Sequence, residues 1–161
     1  METLPFTDLL DAAERHARTT LFKKREPHLP TTWLCYDGRD TRKVLTPWRD
    51  EHERELAKVF MRTVIQQHNI VAYCCVSEVW YTRETPESYA SKNFVQPRHR
   101  ADRKEMVIAM ATDGKSVRVK SWEMVRDWNE QVIDLKPRSE IGHGFGGWMI
   151  ALLGAPTNFL E

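Results

Sequence analysis

The sequence predicts an α+β fold, an antiparallel meander of four or five strands with helices packed on one face. Three observations carry that expectation. "MVIAMATDGKSVRVK" places two apolar runs around Asp113-Gly114, a two-residue hairpin signal. "TPWRDEHERELAKVFMRTVIQQHN" opens with helix-start chemistry and repeats apolar residues at helical spacing. "IVAYCCVSEVWYTRE", residues 70–84, is a long run of β-branched and aromatic residues.

Each element follows in order. "FTDLLDAAERHARTTLF" reads as a first helix, with Thr7 as its cap and Asp8 and Asp11 at the positive end of its dipole. Leu9, Leu10, Ala13 and Ala17 make its apolar face. Pro27 and Pro30 in "KKREPHLP" mark a loop. "TTWLCYDG" is a short strand ending in a turn at Asp37-Gly38, and "RKVL" is its partner. The second helix has Thr46 at the cap, Pro47 at the first helical position, and Asp50 and Glu51 in its early turns. Its core-facing stripe is Leu56, Val59, Phe60, Thr63 and Val64, and Asn69 lies near its end.

The hairpin needs positive φ at both central residues if Asp113-Gly114 forms a type I′ loop. Thr112 then faces Lys115, Met110 faces Val117, Ile108 faces Val119 and Met106 faces Ser121. That apolar face is expected under the helices. Ala111, Ala109, Val107 and Glu105, with Ser116, Arg118, Lys120 and Trp122, form the face expected to be wet. "EQVIDLK" is a further strand after a turn near Asp127 to Asn129.

A chain of 161 residues is expected to form one domain, 1–161, with a core that needs no disulfide or metal. Lys+Arg total 24 and Asp+Glu 23, a net charge of +1, which argues against a strongly basic nucleic-acid binder. Cys35, Cys74 and Cys75 are odd in number and lack CxxC spacing. They read as small buried hydrophobes in a reducing, cytoplasmic setting, with Cys74 and Cys75 on opposite faces of one strand. No long apolar run suggests a membrane span, and the opening "METLPFTDLLDAAERH", acidic early and without a long apolar run, is not expected to act as a secretory signal.

Four groups of residues invite a functional reading. Glu78 shares a strand face with Cys74, Val76 and Trp80, so it is expected half-buried beside a cation. Arg118, Lys120 and Arg103 are the cations at hand, and Glu105 joins the same charge ladder. The sharper alternative pairs Glu78 with Glu105 as catalytic carboxylates or metal ligands, completed by His99 or Asp102. The run "QPRHRADRKE" offers Arg98, Arg100, Arg103 and Lys104 to an anion or nucleic acid, diluted by Asp102 and Glu105. It closes the long polar loop 85–102, a length that in small domains often serves function. "GHGFGG" matches GxGxxG at Gly142, Gly144 and Gly147, but no βα unit precedes it, so segment 142–147 reads as structural turns. His16, His28, His52, His68, His99 and His143 show neither HxH nor HExxH spacing, and no GxSxG is present. No cofactor is implied.

"VSEVWYTRE" followed by a Pro-containing loop and "RADRKEMVIAMATDGK" is similar to a set of small bacterial and prophage proteins with no known activity. They share an S-E-x-W strand, here Ser77, Glu78 and Trp80, and a D-R-x-E strand opening, here Asp102, Arg103 and Glu105. The resemblance spans about residues 48–119 and implies an α+β fold and a bacterial or phage setting. It implies no catalytic residue.

The leading reading is therefore a small cytoplasmic, non-enzymatic protein that binds another macromolecule. A protein is the favoured partner, with nucleic acid and a second copy of the chain as alternatives. An exposed Trp or Tyr beside Arg118 on the wet sheet face is the interface this reading expects.

Overall fold

The computed structural model describes residues 6–81, 104–138, 152–153 and 158–160. Within them, α1 (Phe6–Arg18) runs into a π-helical turn, Thr19–Lys23. The strands β1 (Thr32–Tyr36) and β2 (Thr41–Leu45) precede α2 (Glu51–Gln67). Four longer strands follow: β3 (Ala72–Tyr81), β4 (Lys104–Thr112), β5 (Ser116–Arg126) and β6 (Val132–Arg138). Six strands make one antiparallel sheet in the order β2-β1-β3-β4-β5-β6. A short β7 (Asn158–Leu160) adds a parallel pairing to the start of β5. The α+β class holds, with more strands than the expected four or five.

The helices do not share a face. Phe6, Leu9, Leu10, Ala13 and Ala17 of α1 are buried against Cys74, Val76, Val107, Ala109, Ala111 and Trp122. Met61 and Ile65 of α2 are buried against Trp33, Cys35, Tyr73 and Cys75, the alternate residues of β1 and β3. The face expected to be wet is therefore the one under α1. The physical reason lies in the central strands. In β4 every side chain from Met106 to Thr112 is buried, so both pleat faces exclude water. Small residues at Ala109 and Ala111 let a helix faced with Ala13 and Ala17 come close.

The hairpin register also differs from expectation. Thr112 pairs with Val117, Met110 with Val119, Ile108 with Ser121 and Met106 with Glu123. The centre of the turn is Gly114-Lys115, and positive φ falls on Gly114 alone, at 88°. The Asp113 carboxylate accepts the N–H groups of Lys115 and Ser116 at 2.9 and 2.7 Å, which moves Asp113 out of the loop centre. The slip is two residues, so each side chain keeps its face. A Cβ on Gly114 would meet the Leu153 carbonyl oxygen at 2.7 Å, so glycine also permits that close approach.

The second helix starts later than expected. Asp50 is the cap, accepting the Glu53 N–H at 2.8 Å, while Glu53 reaches back to the Arg49 N–H at 2.7 Å. Thr46 is used elsewhere: its hydroxyl accepts the indole N–H of the fully buried Trp33 at 2.7 Å. Asn69 closes the helix with φ of 52°, and the Ile70 N–H reaches the Ile65 carbonyl at 3.1 Å. Thr7 lies within α1, where its hydroxyl accepts from Arg118 at 3.2 Å.

The face α2 buries is also not the predicted one. Ala57, Met61 and Ile65 are buried, the last two against the sheet, whereas Leu56, Val59, Phe60 and Thr63 are exposed and Val64 is half-buried. The bulky Trp33 and Tyr73 rings lie beneath, tilted at 55° with centroids 5.5 Å apart. A narrow stripe beginning with alanine seats the helix on them.

Candidate functional site

The antiparallel register gathers chemistry-bearing residues at one end of the sheet. Thr32 at the start of β1 pairs with Val76, Tyr81 at the end of β3 with Lys104, and Arg126 at the end of β5 with Val132. Glu78, Trp80, Glu105, Arg126, the 24–31 loop and the 127–131 turn therefore meet there.

Glu78 and Glu105 lie diagonally on adjacent strands, since Glu78 pairs with Val107 and Glu105 with Trp80. Their partners differ. One Glu78 oxygen accepts the backbone N–H of Leu29 at 2.7 Å, and the other lies 3.2 Å from His28 Nδ1. Glu105 is held by the Arg126 guanidinium, and both side chains are mostly buried. Neither joins the expected ladder with Arg118 and Lys120. Those two residues pair with Ala111 and Ala109, toward the other end of β4 from Glu105. Arg118 turns to Thr7, and Lys120 lies 3.7 Å from Asp11, both on α1.

Arg126 does more than neutralise Glu105. Its Nη1 donates to the Glu130 carbonyl at 2.7 Å and its Nη2 to the Pro27 carbonyl at 2.9 Å. One planar guanidinium thus ties β4, the β5–β6 turn and the 24–31 loop together. The sequence signal for this residue was weak, a lone arginine at a strand end.

The turn that Arg126 supports is held by several further hydrogen bonds. The Asp127 carboxylate accepts the N–H groups of Asn129 at 2.9 Å and Gln131 at 3.0 Å. The Asp127 N–H donates to the Gln131 carbonyl at 2.9 Å, and the Glu130 N–H to the Asp127 carbonyl at 3.1 Å. Glu130 sits at φ of 62°, a left-handed conformation that costs a non-glycine residue on the order of 1 kcal/mol. Gln131 Nε2 donates to the Leu21 carbonyl at 3.3 Å, which anchors the turn to the π-helical turn. From this frame Trp128 projects into solvent, 89% exposed. The turn near Asp127 to Asn129 is legible in the sequence, whereas the exposure of Trp128 is not. A large apolar residue inside "DWNE" was the available signal.

Among the described residues, no three His, Cys, Asp or Glu side chains are placed to hold a metal ion. His99 and Asp102, the expected completing ligands, lie outside the described residues, as do Arg98, Arg100 and Arg103 of the basic run. Lys104 is exposed, 3.7 Å from the Glu123 carboxylate. The 85–102 loop and the 142–147 glycines also lie outside the described residues. Among the described residues no exposed Trp or Tyr lies beside Arg118, because α1 covers that face. Trp128 and the partly exposed Trp80 are at the sheet end instead.

Burial pushes the Cys35 thiol up to about 12, and it pushes Cys74 and Cys75 well above the usual thiol range. Cys74 and Cys75 do face opposite sides, one in each helix-covered core. These thiols are packing groups rather than nucleophiles. No helix among the described residues is long and apolar enough to cross a membrane. Comparison with protein-family models, curated proteins and solved structures finds no match to this chain.

Proposed function

We propose that this chain is a binding protein whose partner, another protein, docks on the sheet end that presents Trp128. The observation that carries the reading is a tryptophan 89% exposed on a turn fixed by side-chain and backbone hydrogen bonds. Water contact on so much apolar surface is unfavourable, and the rigid turn gives up little conformational freedom when it binds. Tryptophan and arginine are enriched among the residues that dominate protein interfaces. Trp80 and the exposed imidazole of His28 extend the same end. The two carboxylates at this end, Glu78 and Glu105, are engaged by a backbone amide and by Arg126, which favours binding over acid–base or metal chemistry.

The test is a photo-crosslinking amino acid placed at position 128 in the source organism, with the same probe at exposed Arg39 as control. A discrete adduct formed from position 128 alone identifies the partner, which is then purified and titrated. Trp128→Ala should weaken that complex roughly thirtyfold or more, the scale of an interface anchor. No adduct above the control, or an unchanged affinity, overturns the proposal.

A further inference from the structure

A second surface stands apart from the Trp128 end. On α2, Leu56, Val59 and Phe60 are 56%, 61% and 52% exposed, and Thr63 completes their stripe. The spacing i, i+3, i+4, i+7 is that of a helix-packing seam. The sheet side of α2 is already used by Ala57, Met61 and Ile65.

We propose that this seam is where two copies of the chain pair, with their α2 helices antiparallel about a twofold axis. Two features of the helix favour a second copy over an unrelated partner. First, the seam is centred on the helix itself. Val59 is the middle residue of the 17 in Glu51–Gln67, and the stripe is centred between it and Phe60. A twofold axis between Val59 and Phe60 sets Leu56 against Thr63 of the other copy and Val59 against Phe60, so one patch complements itself.

Second, the acidic residues gather at one end. Glu51, Glu53 and Glu55 lie in the first five positions, where Arg54 and Lys58 pair with Glu51 and Glu55, and Arg62 is the one charged residue of the second half. Antiparallel pairing brings Glu55, which also takes Lys58 of its own chain, beside Arg62 of the other copy. It opposes the helix dipoles as well. Parallel pairing would set Arg62 level with Arg62 of the other copy, about 10 Å along the axis from Glu55. A single helix pair buries less than about 1,200 Å², the class of weak, reversible contacts. The dimer therefore dissociates on dilution.

Sedimentation equilibrium over a range of concentrations tests this. The wild type should show a reversible monomer–dimer equilibrium. Phe60→Glu should raise its dissociation constant at least about tenfold by burying a charge in the seam. Far-UV circular dichroism and melting should be unchanged, because Phe60 is exposed. Glu55→Arg and Arg62→Glu should each weaken pairing, since each sets like charges together. The double exchange should restore it. Should Phe60→Glu melt lower, the charge exchanges decide, as they lie outside the seam. A wild type that stays monomeric at its highest concentration overturns the proposal. So does a dimer untouched by Phe60→Glu, or a double exchange that fails to restore pairing.

Discussion

The Glu78 carboxylate accepts the backbone N–H of Leu29 at 2.7 Å, a bond spanning 49 positions of sequence. The strand carboxylate, expected half-buried beside a cation with a pairing to Glu105 as the alternative, fastens a loop by its backbone. Pro27 and Pro30 flank His28 and Leu29 and have no N–H of their own, so the Leu29 amide is one of the few donors by which this loop can be fixed. Glu78→Ala should therefore destabilise the fold by about 1–2 kcal/mol, since it strands a backbone donor. Glu78→Gln keeps a carbonyl acceptor and should lose less than half as much. Urea denaturation of both variants measures the difference. Millimolar Mn²⁺ or Mg²⁺ should leave the wild-type melting temperature unchanged, because Glu105 is taken by Arg126. A metal-dependent rise that Glu78→Ala abolishes would return Glu78 to the metal-site reading.

Arg126 is the larger structural debt at the same end. Removing it leaves the mostly buried Glu105 carboxylate without its cation, and it frees the Glu130 and Pro27 carbonyls. Arg126→Ala should cost about 3 kcal/mol. For a chain of this size that is a fall of roughly 6–12 °C in melting temperature. Arg126→Lys keeps the charge but cannot reach three acceptors with one planar fork, so it should recover only part of the loss. Calorimetry on the two variants checks the order. Equal melting of Arg126→Lys and wild type would reduce the role of Arg126 to simple charge neutralisation.

Much of the fold was legible in the sequence because strands have a period of two and helices of 3.6. The hairpin around Gly114 was found, and its slip by two residues moved no side chain to the wrong face. What sequence did not carry was which faces would be covered. The near-continuous apolar runs "AYCCV" and "MVIAMA" fit the cover found on both sides. The mixed residues at Arg118 and Lys120 suggested solvent instead, though both reach out to the helix above. In α2 the larger apolar set, Leu56, Val59 and Phe60, won the periodicity argument, yet the smaller set beginning at Ala57 fits over Trp33 and Tyr73. Thr46 looked like a cap until the buried Trp33 indole claimed its hydroxyl. At the candidate site the Arg126 and Glu78 contacts reach residues 99 and 49 positions away, beyond any local pattern.

The cysteines make a kinetic prediction. Cys35, Cys74 and Cys75 are fully buried, and burial raises all three above the range in which thiolate is available. β3 is an interior strand with a helix on each face, so exposing Cys74 or Cys75 requires breaking the sheet. A thiol reagent such as dithionitrobenzoate at about pH 8 should label none of them in the native protein over the time it labels the unfolded chain completely. The slow native labelling should track the global unfolding rate as urea is added. Rapid labelling of any one thiol would show that its strand opens locally.

His16 gives the fold a pH dependence with a definite sign. Its Nε2 lies 3.1 Å from the Thr32 hydroxyl, which already donates its proton to the Pro30 carbonyl at 2.8 Å. Nε2 must therefore be the donor to Thr32, and the neutral ring suffices. Burial first, then Lys43 and Lys24, lowers the His16 pKa below its ordinary 6.5. The folded pKa lies below the unfolded one, so on acidification the unfolded chain takes up the proton first. Stability is unaffected above 6.5, falls as pH drops below it, and levels off once the folded pKa is passed. The lowered carboxyls of Glu53, Glu55 and Asp37 start from 4.5, 4.5 and 3.8 and act at lower pH, so they do not mask this window. His16→Gln, whose amide can still donate to Thr32, should be less sensitive to acid than the wild type between about pH 7 and pH 5. Urea midpoints at a series of pH values read the two slopes. Parallel slopes would assign the dependence to other histidines.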